Sequence, residues 1–143
     1  MKIYYLILIF LFISCKSTYG NGIQNAVMKI NKCYEGSNQI NVDRKAIYDE
    51  KNKILIFYVG SDVKTSITKW EIPMKKIDSK NIFYENEEFP YIKIKTTKNL
   101  DIKYYENNKL NDSLNQFVYP IYDYCFKKNE INQLINNLQN ETN

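Results

Sequence analysis

The chain reads as an α+β domain: an N-terminal helix, a strongly bent antiparallel sheet of about six or seven strands, and a C-terminal capping helix. Two periodicities predict this. Apolar residues recur at helical spacing near both ends, and between Ile40 and Phe126 the period changes to two, broken by turn residues. Length sets the frame, since the roughly 130 residues that follow an apolar leader suit one domain with one core.

The leader comes first. Lys2 and the apolar run Ile3 to Ile13, stopping at Ser14-Cys15, have the anatomy of a secretory signal. A run of about eleven residues is too short for a bilayer span, which takes roughly 20. Leu11-Phe12-Ile13-Ser14-Cys15 resembles the lipobox of bacterial lipoproteins, with Phe12 where that motif usually has Leu. The resemblance implies a signal peptide over residues 1–14, a lipidated Cys15 opening a short tether over 15–22, and a single globular domain over 23–143. Cleavage near Gly20 to give a soluble secreted protein, and retention of the leader as an uncleaved anchor, are the alternatives. Lys16 to Gly22 reaches at most about 25 Å and carries no acidic cluster of the kind that resembles a surface-export signal. The expectation is a lipid-anchored, periplasm-facing domain of the cell envelope, held to the membrane through its N-terminal lipid.

Ile23 to Tyr34 forms the first amphipathic helix, with Ile23, Val27, Ile30 and Tyr34 on one face and Gly36 placed to stop it. Strands are predicted near Ile40 to Asp49, Lys53 to Val59, Ser66 to Ile72, Asn81 to Tyr84, Tyr91 to Thr97, Leu100 to Glu106 and Tyr119 to Phe126. Asp49 to Asn52, Gly60 to Asp62 and Lys98-Asn99 supply turns. Ile54 to Val59 is apolar at every position, which suits a strand at the centre of a sheet. The polar stretch Asn107 to Phe117 reads as a long loop. At the end, Ile131, Leu134, Ile135 and Leu138 make a helical stripe, with Asn129 as N-cap and Glu130 at the positive helix end.

A helix, a run of antiparallel strands that includes Lys69-Trp70-Glu71-Ile72-Pro73-Met74 leading to Lys76-Ile77-Asp78, and a terminal amphipathic helix resemble the PH-like barrel over Ala46 to Leu138. The resemblance implies a bent sheet plugged at one end by the last helix. It does not bring phosphoinositide binding with it, because the sequence shows no cluster of basic residues around the first hairpin beyond Lys51 and Lys53, and an exported domain does not meet that lipid.

Composition excludes more than it assigns. The 20 Lys and Arg against 16 acids leave a net charge of +4 without a clustered patch, which argues neither for nor against a nucleic-acid surface; the secretory address argues against one. There is no histidine, which removes Ser-His and Cys-His nucleophile pairs and His-containing zinc sites. No catalytic residue, metal ligand or cofactor is expected.

Cys33 and Cys125 are the remaining cysteines once Cys15 carries lipid. In an oxidising compartment they are candidates for a structural disulfide, with two separate buried thiols as the alternative. Glu85, Glu87 and Glu88, with Asp101 and Asp123, are the carboxylates an envelope hydrolase without histidine would draw on. Tyr104, Tyr105, Tyr119, Tyr122 and Tyr124 are candidates for an aromatic surface that contacts an envelope protein or a glycan, or else for core filling against the terminal helix. Asn111, Ser113 and Asn140 sit in short glycosylation-like triplets that arise readily by chance in an Asn-rich chain. The functional expectation is a non-catalytic binding or structural module; the alternatives are the hydrolase and a carrier of a small apolar ligand.

Overall fold

The computed structural model describes residues 22–35, 44–60, 67–86, 89–97, 99–122 and 125–142. The leader, Cys15, the tether as far as Asn21, Gly36, Glu87, Glu88, Asp123 and Tyr124 lie outside them; Gly22, expected in the tether, is the first residue of a helix.

Helix α1 (Gly22–Glu35) buries Ile23, Val27 and Ile30, as the periodicity predicts, and Ala26 and Cys33 with them; the Tyr34 side chain lies outside the description. It packs antiparallel to β1 (Arg44–Asp49): Gln24 Nε2 donates to Glu50 Oε1 at 3.0 Å beyond the strand's end, and Asn31 reaches Ala46 midway along it. The Asp49 to Asn52 turn is as expected, closed by the Asn52 N–H donating to Asp49 Oδ1 at 3.1 Å. Beyond it run β2 (Ile54–Gly60) and β3 (Ile67–Pro73). β2 pairs on both sides, the central place its unbroken apolar run predicts.

A short 3-10 turn, Met74–Lys76, then carries the chain out of this sheet. β4 (Ile77–Asn86) pairs with β5 (Pro90–Thr96), with a register shift between Ile77 and Ile82. β6 (Ile102–Glu106) returns to β3. β7 (Lys109–Leu114) pairs with β6, and β8 (Gln116–Pro120) pairs with β5. The last element is α2 (Lys128–Asn140).

These strands form two antiparallel sheets, β1-β2-β3-β6-β7 and β4-β5-β8. The α+β class and the helix–strands–helix order stand, but the PH-like barrel does not: no strand pairing joins the sheets among the described residues, so neither closes into a barrel. The chain changes sheet three times: at Met74–Lys76, between β5 and β6, and at Asn115, the single residue between β7 and β8. Asn115 is held at that corner because its carbonyl accepts from the Thr96 N–H at 2.9 Å and from the Thr96 hydroxyl at 3.3 Å.

Three local expectations change as well. The stretch 107–117 is not a loop but the β6–β7 hairpin and the start of β8. Asn107 and Asn108 have φ of 49° and 64°, the left-handed pair that a two-residue hairpin turn needs and that Asn tolerates. The last strand ends at Pro120 and does not run on to Phe126, which is buried outside the sheet. Finally, α2 is capped by Lys127 and not by Asn129, which is its second residue. Glu130 accepts the Lys127 N–H at 2.9 Å and the Lys29 ammonium at 3.0 Å, and both hold its carboxyl below the ordinary range.

The core lies between the inner sheet faces and the two helices. Leu55 and Ile72 from one sheet, Ile82, Ile92 and Ile94 from the other, and Ile131, Leu134 and Leu138 of α2 are all buried, the last three on the expected stripe. α2 lies on β4, where Gln139 Nε2 donates to the Ile82 carbonyl at 2.9 Å, and it packs against α1. A Cβ on Gly22 would come within 2.8 Å of Asn137 Oδ1, so the start of α1 sits against the late turns of α2. Cys33 and Cys125 are paired as a disulfide that ties the other end of α1 to the approach to α2 across 92 residues.

Candidate functional site

Alternation along the five-stranded sheet sends Ala46, Phe57, Trp70 and Tyr104 to one face, since each is the cross-strand partner of the next. On the second sheet, Phe117 and Tyr119 of β8 point inward and are buried. The two sets of rings meet. Phe57 stacks on Phe117 with centroids 4.7 Å apart and lies 5.2 Å from Tyr119, while Trp70 is 5.6 Å from Phe117 and 5.4 Å from Tyr104. Tilted and offset contacts at these distances are the favoured geometries for aromatic pairs.

Because the sheets do not close, this aromatic floor opens into a cleft of about 410 Å³ between β8 and the far end of β1 and β2. Val59, Leu114 and Val118 add apolar wall, and Arg44 and Lys45 stand at one end. Arg44 Nη1 donates to the Tyr122 hydroxyl at 2.9 Å, and the guanidinium lies 5.9 Å from that ring's centroid. The size is within the range of small-molecule pockets, as is the character of an apolar lining with a few polar groups.

The structure distributes the candidate tyrosines among three environments. Tyr119 forms part of the cleft floor, and Tyr122 holds Arg44 at its end. Tyr104 is half-buried beside Trp70, and its hydroxyl donates to Glu106 at 2.5 Å, which together with burial raises its pKa. Tyr105, one residue on, points to the opposite face. There burial and a hydrogen bond to Glu71 at 2.9 Å raise its pKa, and Lys69 Nζ sits 3.9 Å from its ring centroid. Burial pushes the Glu71 carboxyl up, but hydrogen bonds from Lys69 and Tyr105 outweigh it and keep the group below the ordinary carboxylate range.

Sequence reasoning missed Arg44, Phe57, Trp70 and Phe117. Phe57 and Trp70 share a face through the β2–β3 register, which alternation within each strand does not fix, and the reading of 107–117 as a loop hides Phe117.

Of the candidate carboxylates, the two among the described residues, Glu85 and Asp101, are placed apart. Glu85 lies on the outer face of the three-stranded sheet, where hydrogen bonds from the Tyr91 hydroxyl and the Lys93 ammonium hold its carboxyl low, opposite to what a general acid needs. Asp101 is ion-paired with Lys76 at 2.7 Å beside a smaller hollow of about 180 Å³ that also contains Glu71 and Lys103. Among the described residues no three His, Cys, Asp or Glu side chains are grouped to hold a metal ion, and no helix is long and apolar enough to cross a membrane.

Comparison of the chain with protein-family models, with curated proteins and with solved structures finds no match.

Proposed function

We propose that this chain is an envelope lipoprotein, tethered through Cys15, whose folded domain acts as a non-catalytic binding module for a small apolar or aromatic molecule. The observation that carries the binding reading is the cleft of about 410 Å³ floored by Phe57, Trp70 and Phe117. Rings held by packing on two rigid sheets offer a contact surface that needs little ordering on binding. The signal-like leader and the motif at Cys15 support the tether, and the bonded pair Cys33–Cys125 accords with an oxidising compartment.

Trp70 is the one tryptophan of the chain, so it reports on the cleft directly. Adding 1-anilinonaphthalene-8-sulfonate should produce saturable energy transfer from Trp70. Val59→Phe, which fills the cleft wall, should remove that transfer while leaving the thermal transition in place. Absence of saturable transfer in the unsubstituted protein overturns the binding reading. The tether is tested by fractionation and intact mass: a mature start at Cys15 with acyl mass in the membrane fraction supports it, and an unlipidated start near Gly20 in the soluble fraction overturns it.

A further inference from the structure

We infer that the apolar group taken by this cleft is a side chain of an extended peptide segment, which binds by adding as a strand to the open edge of β8; the inference rests on the cleft being a binding site. The two sheets have four edges, and they differ in how they are closed. Asn31 of α1 bonds both backbone groups of Ala46 on the edge of β1, and Gln139 of α2 donates to the Ile82 carbonyl on the edge of β4. β7 exposes Lys109 and Asp112, and its register with β6 is broken between Tyr104 and Tyr105. Charge and irregular pairing keep an edge strand from recruiting another. β8 carries no charged side chain and pairs with β5 in unbroken register. Among the described residues it is the one edge left without cover, charge or irregularity.

The hydrogen-bonding groups of that edge follow from the pairing. The Thr96 N–H donates to the Asn115 carbonyl and the Ile121 N–H to the Pro90 carbonyl, both at 2.9 Å, so in the register between them the backbone groups of Phe117 and Tyr119 face β5. Those of the alternate residues face the other way. Gln116 and Val118 each turn an N–H and a carbonyl to the open side, and Pro120 turns a carbonyl alone. Donors and acceptors in this alternation are complementary to a polypeptide backbone.

The open side of β8 is the cleft, lined by Gln116, Val118 and Pro120 together with Tyr58 and Val59 of β2. A strand added there continues the inner face of the three-stranded sheet. Its alternate side chains therefore enter the cleft, where the half-buried Val59, Trp70 and Leu114 leave apolar surface uncovered. A volume of about 410 Å³ takes a few residues of one strand and not the sheet that a second copy would bring with its own β8.

The test uses blocked, uncharged heptapeptides that alternate Thr with Val, Leu or Phe, each titrated against the full folded chain by Trp70 emission. At least one should give a saturable change. N-methylation of one alternate set of its residues should weaken it at least about tenfold, and methylation of the other set much less, because only one set of N–H groups faces β8. In hydrogen exchange, the Gln116 and Val118 amides should be faster than those of Phe117 and Tyr119, and the peptide should slow them. Val118→Pro removes an N–H that takes no part in the β5 pairing, so it should abolish the peptide response and leave the thermal transition in place. Saturable transfer to 1-anilinonaphthalene-8-sulfonate without a peptide response, or with both methylated sets binding like the parent peptide, would overturn the strand inference and leave the cleft as a binding site. A dimer in solution with the Gln116 and Val118 amides already slow would overturn it too, by giving the edge to a second copy. A response to neither kind of probe would overturn the binding reading itself. Because the methylated peptides are compared on the unsubstituted protein, the inference stays testable even where Val118→Pro does not fold.

Discussion

Asn31 clasps Ala46 with both ends of its amide: Asn31 Oδ1 accepts the Ala46 N–H at 2.7 Å, and Asn31 Nδ2 donates to the Ala46 carbonyl at 2.9 Å. A helical side chain thus stands where a neighbouring strand would, on the open edge of β1. Such an edge is otherwise a template for pairing with another chain. Asn31→Ala should cost about 1–3 kcal/mol for the two backbone groups left without this partner. It should also promote association, read as a lower urea midpoint together with light scattering that rises with concentration.

The disulfide makes a prediction of its own size. Cys33 and Cys125 are separated by 92 residues, so their bond constrains a large part of the unfolded chain. Replacing both by Ser should lower stability by about 2–5 kcal/mol, checked by denaturant midpoints with and without reductant. The reductant should shift the unsubstituted protein and leave the double variant unchanged.

The β6–β7 hairpin depends on two left-handed residues. Asn108, at φ 64°, should tolerate Gly with little change, whereas Asn108→Val should cost about 1–2 kcal/mol because a branched Cβ clashes in that conformation. Thermal melts of the two variants separate a turn effect from a general effect of losing Asn.

The Glu71 carboxyl, kept low by Lys69 and Tyr105, predicts a pH dependence with a definite sign. A folded pKa below the unfolded one gives stability that is present above the unfolded value and is lost as pH falls through the folded one. The difference in stability between the unsubstituted protein and Glu71→Gln should therefore be largest near neutrality and shrink below about pH 4. A difference that stays constant from pH 7 to pH 3 would show that the ionised form carries none of it.

The sheet floor gives the strongest single-residue effect. Phe117 is buried and touches both Phe57 and Trp70, so Phe117→Ala should cost about 3–5 kcal/mol and shift the Trp70 emission to the red. Emission and circular dichroism on one melt check both parts.

Much of the fold was legible because it rests on periodicity. Ile131, Leu134 and Leu138 are spaced for one helical face and are buried on one, and Ile54 to Val59 reads as central and is central. What was not legible came from chemistry shared by turns and loops. Asn107-Asn108 looks like loop composition until its dihedrals show a tight turn, and missing it hid β7 and displaced the last strand. The sheet changes at Met74–Lys76 and Asn115 are likewise decided by tertiary contacts, such as the Thr96 bonds to the Asn115 carbonyl, which leave no local pattern. The cleft was out of reach for the same reason: Phe57, Trp70 and Phe117 lie on three strands in two sheets, and only the way the sheets face each other brings the rings together. Arg44 carries no local signal of its place, because Tyr122, which accepts its hydrogen bond, is 78 residues away.

The antiparallel course of α1 along β1 has a mechanical consequence. Gly22 rests against Asn137, and Gln24 reaches Glu50, at the end of β1 that leads into its turn; Arg44 and the cleft are at the other end. Six extended residues place roughly 20 Å between them. A hold on Gly22, the start of α1, would therefore leave the aromatic cleft at the far end of the strand, as a lamp gripped by its base leaves its shade clear.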